Sequence, residues 1–313
     1  MAQANATALA DFSGFIPADR AQAYFEEARK RSIVQQLVRQ IPLGAAGAEI
    51  PYSTSKATAA WVSEAGKKPT TESGIALATI TPKKIAAISV VSAEVVRANP
   101  GNYMEILRAD IAEAFALAFD AATLHGTSTP FGANSYLDAT SRTAVEIGTT
   151  AAASGGVYGD IVAGLKELVD NGKRLTGFAW DLAAEPVFAA ATDTSGRPLF
   201  TDMTNPTLDA PGPVIPGRTL GRPAFMGDGI ATDIVAGTPK TGGVIGYGGD
   251  WSKAVWGVVG GITYDVSTEA SVTLGTTLTS LWEHNLVAIR AEAEYGWLLQ
   301  DKDAFVQYTD HTA

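Results

Sequence analysis

The chain has 313 residues, 46% of them hydrophobic and 18% charged, with a formal net charge of −10 and no cysteine. This length supports a large core and about two domains, and the composition excludes a disordered chain. The missing cysteines exclude disulfides, thiolate metal sites and thiol catalysis, and the negative charge argues against a general nucleic-acid binder, which needs a cationic surface.

Residues 1–16 are small, polar and Ala-rich and read as an extended or disordered arm. They carry no cationic and apolar signal-peptide pattern, and no run in the chain approaches the ~18 apolar residues of a membrane span. The chain is therefore expected to be made and used in a cytoplasm. Pro17 suits a first helical turn. Tyr24, Ala28 and Arg31 follow at helical spacing, and Ile33, Val34, Leu37, Val38 and Ile41 extend an apolar stripe to Pro42.

Glycines then punctuate short β-type runs at Ile50–Ser53 and Ala60–Val62. The stretch from Glu64 to Gly74 is polar and rich in turn formers, so it reads as an exposed loop tip. Alternation over Ile75–Ile80 predicts one strand, and Ile85–Val91 a more buried one. Paired, the two would make a long hairpin projecting from a body. A two-stranded hairpin is marginal alone in water, so it wants a partner surface.

The strongest helix runs from Tyr103 to Leu124, with Leu107, Ile111, Ala114, Ala118 and Ala122 in register and Phe115 and Phe119 on a second edge. At 1.5 Å per residue it is about 33 Å long, and Gly126 supplies a left-handed stop. Residues 126–156 read as loop. Asp160 is placed as the cap of a further helix with Ile161, Leu165, Leu168 and Val169 on one face. Short strands and turns follow from Gly177 to Tyr264, with a short helix at Pro186–Ala191. Val244–Tyr247 and Ala254–Val259 look like a hairpin around Gly248-Gly249-Asp250. Strands resume from Leu281 through Tyr308.

No catalytic set assembles. The three histidines, His125, His284 and His311, stand apart, with no second ligand at metal spacing. Gly237–Gly243 fails the phosphate-loop spacing, and Pro239 removes a backbone donor. No nucleophile elbow is present. The six tryptophans, at 61, 180, 251, 256, 282 and 297, read as core or interface anchors. Charge is uneven: residues 1–100 hold 11 Lys/Arg and 8 Asp/Glu, residues 101–313 hold 12 and 25.

Four phrases occur in a telling order. They are Ala60–Pro69 followed by Ile80–Ala86, then Ser92–Val96 leading toward the long helix, then Gly248–Trp256, then Asp303–Val306. This order resembles the major capsid proteins of tailed bacteriophages, the Hong Kong 97-like fold, over about Ile16 to Tyr308. The resemblance implies an α+β chain divided into an N-terminal arm (1–42), an extended β-hairpin loop (43–90), a first part of a peripheral domain with a long spine helix (91–156), an axial domain (157–264) and a second peripheral part (265–313).

It further implies self-assembly of pentamers and hexamers into an icosahedral shell around double-stranded DNA, held without specific binding. No cofactor and no membrane are involved. A portal and a separate scaffolding protein are the expected partners, with a decoration protein a further one; assembly would take place in the host cytoplasm. Some relatives weld their shells through Lys–Asn isopeptide bonds. Here Ala65 stands where the lysine would follow Glu64, so no crosslink is expected. Glu64, Lys67, Lys68 and Glu72 on the loop, and Arg20, Arg29, Lys30 and Arg31 on the arm, are the candidate contacts with neighbouring subunits. The loop residues read equally as a solvated tip. Two other readings stand beside this one: a nanocompartment shell protein of the encapsulin type, and a small-oligomer α+β enzyme with an Asp/Glu/Lys site.

Overall fold

A computed structural model describes residues 32–55, 57–64, 66–151, 154–191, 214–231 and 243–310. The predicted helix over 17–31, the arm residues Arg20, Arg29, Lys30 and Arg31, Ala65, residues 237–242 and His311 lie outside the described residues.

The described chain begins with α1 (Ile33–Leu37), capped by Ser32, whose hydroxyl accepts from Gln35 N–H at 3.1 Å. The predicted apolar stripe to Ile41 is not one helix. The chain leaves α1 at Val38 and extends as β1 (Arg39–Pro42), because Ile41 lies in a strand that pairs parallel to a later one. β2 (Ala48–Ser55) and β3 (Gly74–Ile80) form an antiparallel hairpin closed by the tip 56–73. The predicted pairing of Ile75–Ile80 with Ile85–Val91 is therefore corrected. β4 (Lys83–Ser92) instead joins the body, and Ala60–Val62 is not a strand.

α2 (Ala93–Ala98) ends on Asn99 at φ 40°, and α3 spans Tyr103–Leu124 as predicted. Its stop combines two needs of Gly126: a φ of 70°, and the Tyr136 ring within 2.6 Å of where a Cβ would stand. Its buried line is Ile111, Phe115, Phe119 and Ala122; Ala114 and Ala118 face outward. After β5 (Val145–Ile147), α4 (Gly156–Asp170) begins one turn earlier than predicted. Asp160 lies inside α4, and its buried carboxylate accepts from Gly148 N–H at 2.7 Å and the Thr150 hydroxyl at 2.5 Å. Val169 is exposed, so it leaves the predicted face. β6 (Gly177–Asp181), α5 (Glu185–Ala190), β7 (Ile215–Thr219), β8 (Arg222–Gly227) and β9 (Val244–Gly249) follow.

β10 (Ala254–Ser267) and β13 (Leu286–Leu299) are the two longest strands, and β11 (Ser271–Leu274) and β12 (Thr277–Ser280) form a small hairpin between them. β14 (Phe305–Asp310) closes the described chain. Two sheets result. One has the order β1-β10-β13-β4, the other β5-β14-β9-β6-β8-β7. β9 and β10 sit in different sheets, so the hairpin expected there is absent. Asp250 turns the chain from one sheet to the other, accepting from the Ser252 hydroxyl at 2.6 Å and its N–H at 3.2 Å.

Phe119 of α3 packs in the main core. Its ring lies 5.3 Å from Tyr295 and 6.1 Å from each of Phe131, Trp256 and Trp297. A second core surrounds Phe178, Trp180, Phe188 and Tyr308, covered by Ile161 and Leu168 of α4. Every residue of β6 and β9 is buried. Glycine makes that fit possible: a Cβ at Gly246 would stand 2.2 Å from the Trp180 ring. The variant Gly246→Ala is expected to destabilise the subunit by about 1–3 kcal/mol, the usual scale for overpacking. A thermal melt read against the unaltered protein measures it.

Candidate assembly surfaces

The hairpin departs from ordinary strand logic. An alternating strand normally turns its large apolar side chains inward. In β3 the sense is inverted: Ile75 is 76% exposed and Leu77 61%, while Ala76 and Ala78 are half-buried. Only Ile80, at the base, is fully buried. At the tip, Trp61 is 104% exposed. The tip is nonetheless held locally, with Thr58 N–H donating to the Thr71 hydroxyl at 2.8 Å and Gly74 N–H to the Ser55 hydroxyl at 2.7 Å.

Glu64, Lys67, Lys68 and Glu72 all lie on this tip and are exposed. Among the described residues none of the four makes an ion pair. The fold thus places all four predicted loop residues on one projecting element. A second exposed apolar surface was missed. It lies on and beside the β11–β12 hairpin, where Leu278 is 71% and Trp282 76% exposed, next to exposed Glu283 and His284. The Leu278 signal is faint in sequence, one leucine among threonines. Trp282 stood out only as one scattered tryptophan.

These surfaces project from a body that buried polar groups lock together. Asp120 of α3 is almost wholly buried. It accepts from the Ser32 hydroxyl at 2.5 Å and from Ile33 N–H at 2.9 Å, so it ties the start of α1 to the long helix. Burial raises its carboxyl to about 7, against the lowering effect of Ser32, Ile33, Val34 and His125. His125, one of the three histidines that stand apart in sequence, is the C-cap of α3 and belongs to a polar cluster. Its Nδ1 lies 2.8 Å from Asp138 Oδ2 and 3.0 Å from the Tyr247 hydroxyl. Asp138 also accepts from the Tyr247 hydroxyl and, at 2.8 Å, from Gln307 Nε2. Burial, followed by the Asp138 charge, holds the Tyr247 phenol protonated well above its usual range. The cluster joins α3 to β9 and β14. Such networks are structural; none aims a nucleophile and base into a cleft. Among the described residues no cluster of three or more His, Cys, Asp or Glu is placed to hold a metal, and no helix is long and apolar enough to cross a membrane.

A body that turns large apolar side chains outward on the β2–β3 hairpin and beside the β11–β12 hairpin presents surface for contact with other chains. The family model described as "Phage capsid family" matches residues 13–310. The chain belongs to the phage capsid family. It is 42% identical over 307 residues to the probable major capsid protein gp17 of Mycobacterium phage L5, covering 96% of this chain and 90% of that protein. A similar match, 41% over 304 residues, covers 96% of this chain and 91% of the probable major capsid protein gp17 of Mycobacterium phage D29. A solved chain from Gordonia phage Cozz superposes with a TM-score of 0.72 at 22% identity, covering 97% of this chain and 94% of that one. That likeness establishes the Hong Kong 97-like α+β capsid fold expected from the sequence. This capsid protein is a structural, shell-forming component of the virion and not an enzyme. Neither the nanocompartment reading nor the small-oligomer enzyme reading matches what these relatives are.

Asp120 gives the body a defined pH response. Its folded value, about 7, exceeds the unfolded value near 3.8, so folding takes up a proton. The associated stability is full below about pH 4 and is lost as the pH rises through 7. Asp120→Asn removes the charge and keeps one acceptor oxygen, for one of the two donors Ser32 and Ile33, which reach different oxygens of the carboxylate. Melting curves from pH 4 to 8 should show a shallower decline for the variant, by on the order of a few kcal/mol across the range. An identical slope in both proteins would contradict the assignment.

Proposed function

We propose that this capsid protein forms pentamers and hexamers that close an icosahedral shell around phage double-stranded DNA. Assembly takes place in the host cytoplasm, with a portal and a separate scaffolding protein as partners and a decoration protein as a further one. The observation that carries this reading is the β2–β3 hairpin, which turns Ile75 and Leu77 to solvent. Two strands cannot stabilise such a face alone. Laid across a neighbouring subunit, it would bury that face, within permanent interfaces of about 2,000–5,000 Å².

The same reading divides the chain into an arm (1–42), an extended loop (43–90), a peripheral domain (91–156 and 265–313) and an axial domain (157–264). These divisions follow the chain more than the sheets. β10 runs through residues 264 and 265 unbroken, and β14 pairs back into the six-stranded sheet. The projecting part of the loop is 48–80, since β4 belongs to the body. The acidic region 101–313 would repel packed phosphates and leave the genome free to slide, with no specific contact. Arg20, Arg29, Lys30 and Arg31 on the arm, and Glu64, Lys67, Lys68 and Glu72 on the tip, are proposed contacts with acidic and basic groups of neighbours.

Negative-stain images of the purified protein should show closed shells or rings. Small oligomers under every assembly condition would overturn the reading. Reversing the tip charges with Lys67→Glu and Lys68→Glu should lower particle yield several-fold, as expected when charges that set docking register are inverted. Unchanged yield would remove these lysines from the interface.

A further inference from the structure

Trp61 stands at the hairpin tip with its whole side chain in solvent. A tryptophan buries roughly 150–250 Å² when it finds a site and is the commonest kind of interface anchor. The molecule also has an open groove, about 390 Å³ in volume, lined by residues of α3, β4 and β13 and of the loop after α3. Phe119, Phe131 and Tyr295 wall it, the outward-facing Ala118 of α3 leaves room above them, and Lys83 and Lys84 lie at its edge. Lys84 is paired with Glu292 at 2.7 Å, whereas Lys83 has no ion pair among the described residues.

Within its own chain the knob fills no groove, since Trp61 is fully exposed. The seven residues of β3 alone separate the tip from the base by about 23 Å at 3.3 Å per residue. A knob on one patch and a pocket on another make a head-to-tail contact, which closes into rings when the rotation allows. We propose that Trp61 of one copy seats in the groove between α3, β4 and β13 of the next copy, with Glu64 reaching Lys83. Three observations select this occupant over other segments. The knob is aromatic and the groove walls are aromatic. The residue three positions beyond the knob is acidic, and the unpaired residue at the groove's edge is basic. The knob rides on the element whose apolar face already requires a neighbour.

The inference rests on the shell-forming reading above, and the test separates the two. Because the chain has no cysteine, engineered thiols report without background. Ser63 lies beside the knob, and Thr127 lines the groove and is exposed. Particles of the double variant Ser63→Cys with Thr127→Cys should give reducible multimers on a non-reducing gel, and either single variant should stay monomeric there. Trp61→Ala should leave the subunit's melting temperature unchanged, since the side chain touches nothing in its own chain. It should cut particle yield about tenfold or more, the scale of a lost aromatic anchor. Ala118→Trp, which fills the groove from inside, should do the same. Normal particle yield from Trp61→Ala, or uncrosslinked particles of the double variant, would overturn the knob-and-groove contact. Absence of particles from the unaltered protein would overturn the shell reading itself.

Discussion

The last two turns of α3 hold the molecule together. On one side Phe119 enters an aromatic cluster with Trp256, Tyr295 and Trp297 of the four-stranded sheet. On another, Asp120 grips Ser32 and Ile33. At the helix end His125 joins Asp138, Tyr247 and Gln307, which reach into the six-stranded sheet. The junction sits where the two sheets share one core, with Ala179, Tyr247 and Phe305 from one and Trp256 and Trp297 from the other. An aromatic cluster supplies area but little direction; the buried polar groups supply direction, because each must find its partner or lose the cost of its desolvation. Together they make one body from which the hairpin can project at a fixed angle.

The protein divides its apolar surface between two uses. Inside, β6 and β9 are buried along their full length, with glycines at 246, 248 and 249 making space for Trp180, Phe178 and Phe305. Outside, the hairpin and the β11–β12 region keep large apolar side chains in solvent. A monomer designed only to be soluble would not expose Ile75, Leu77, Trp61, Leu278 and Trp282 together. A subunit whose finished state is a shell must, since assembly needs driving force left over after folding.

Much of this was legible from residue order. The 22-residue helix declared itself because its period is strong and its stop, Gly126, is required by both φ and space. The exposed tip from Glu64 to Gly74 was readable from turn chemistry alone. Pairing was not. Ile75–Ile80 is matched in sequence to the next strand, Ile85–Val91, because the pattern of apolar residues cannot say whether a strand joins a hairpin or a sheet. The β9–β10 turn misled for the same reason: Gly248-Gly249-Asp250 is good hairpin wording, yet tertiary packing sends the two strands to different sheets. Asp160 looked like a cap because Asp often is one; its true role, holding the loop at 148–150, depends on a contact invisible locally. The helix face was misjudged where alanine fits core and surface alike, at Ala114 and Ala118.

The order of the strands has a consequence for synthesis. β1, near the start of the described chain, pairs with β10 some two hundred residues later, and β14 inserts between β5 and β9. The β2–β3 and β7–β8 hairpins, by contrast, can form soon after they leave the ribosome. The four-stranded sheet must therefore wait, edges open, for Leu286–Leu299, and the six-stranded sheet for Phe305–Asp310. Non-local pairing of this kind is slow, and open edges are sticky. A chain cut short before Phe305 would lack the strand that joins β5 to β9 and would leave both of those edges open.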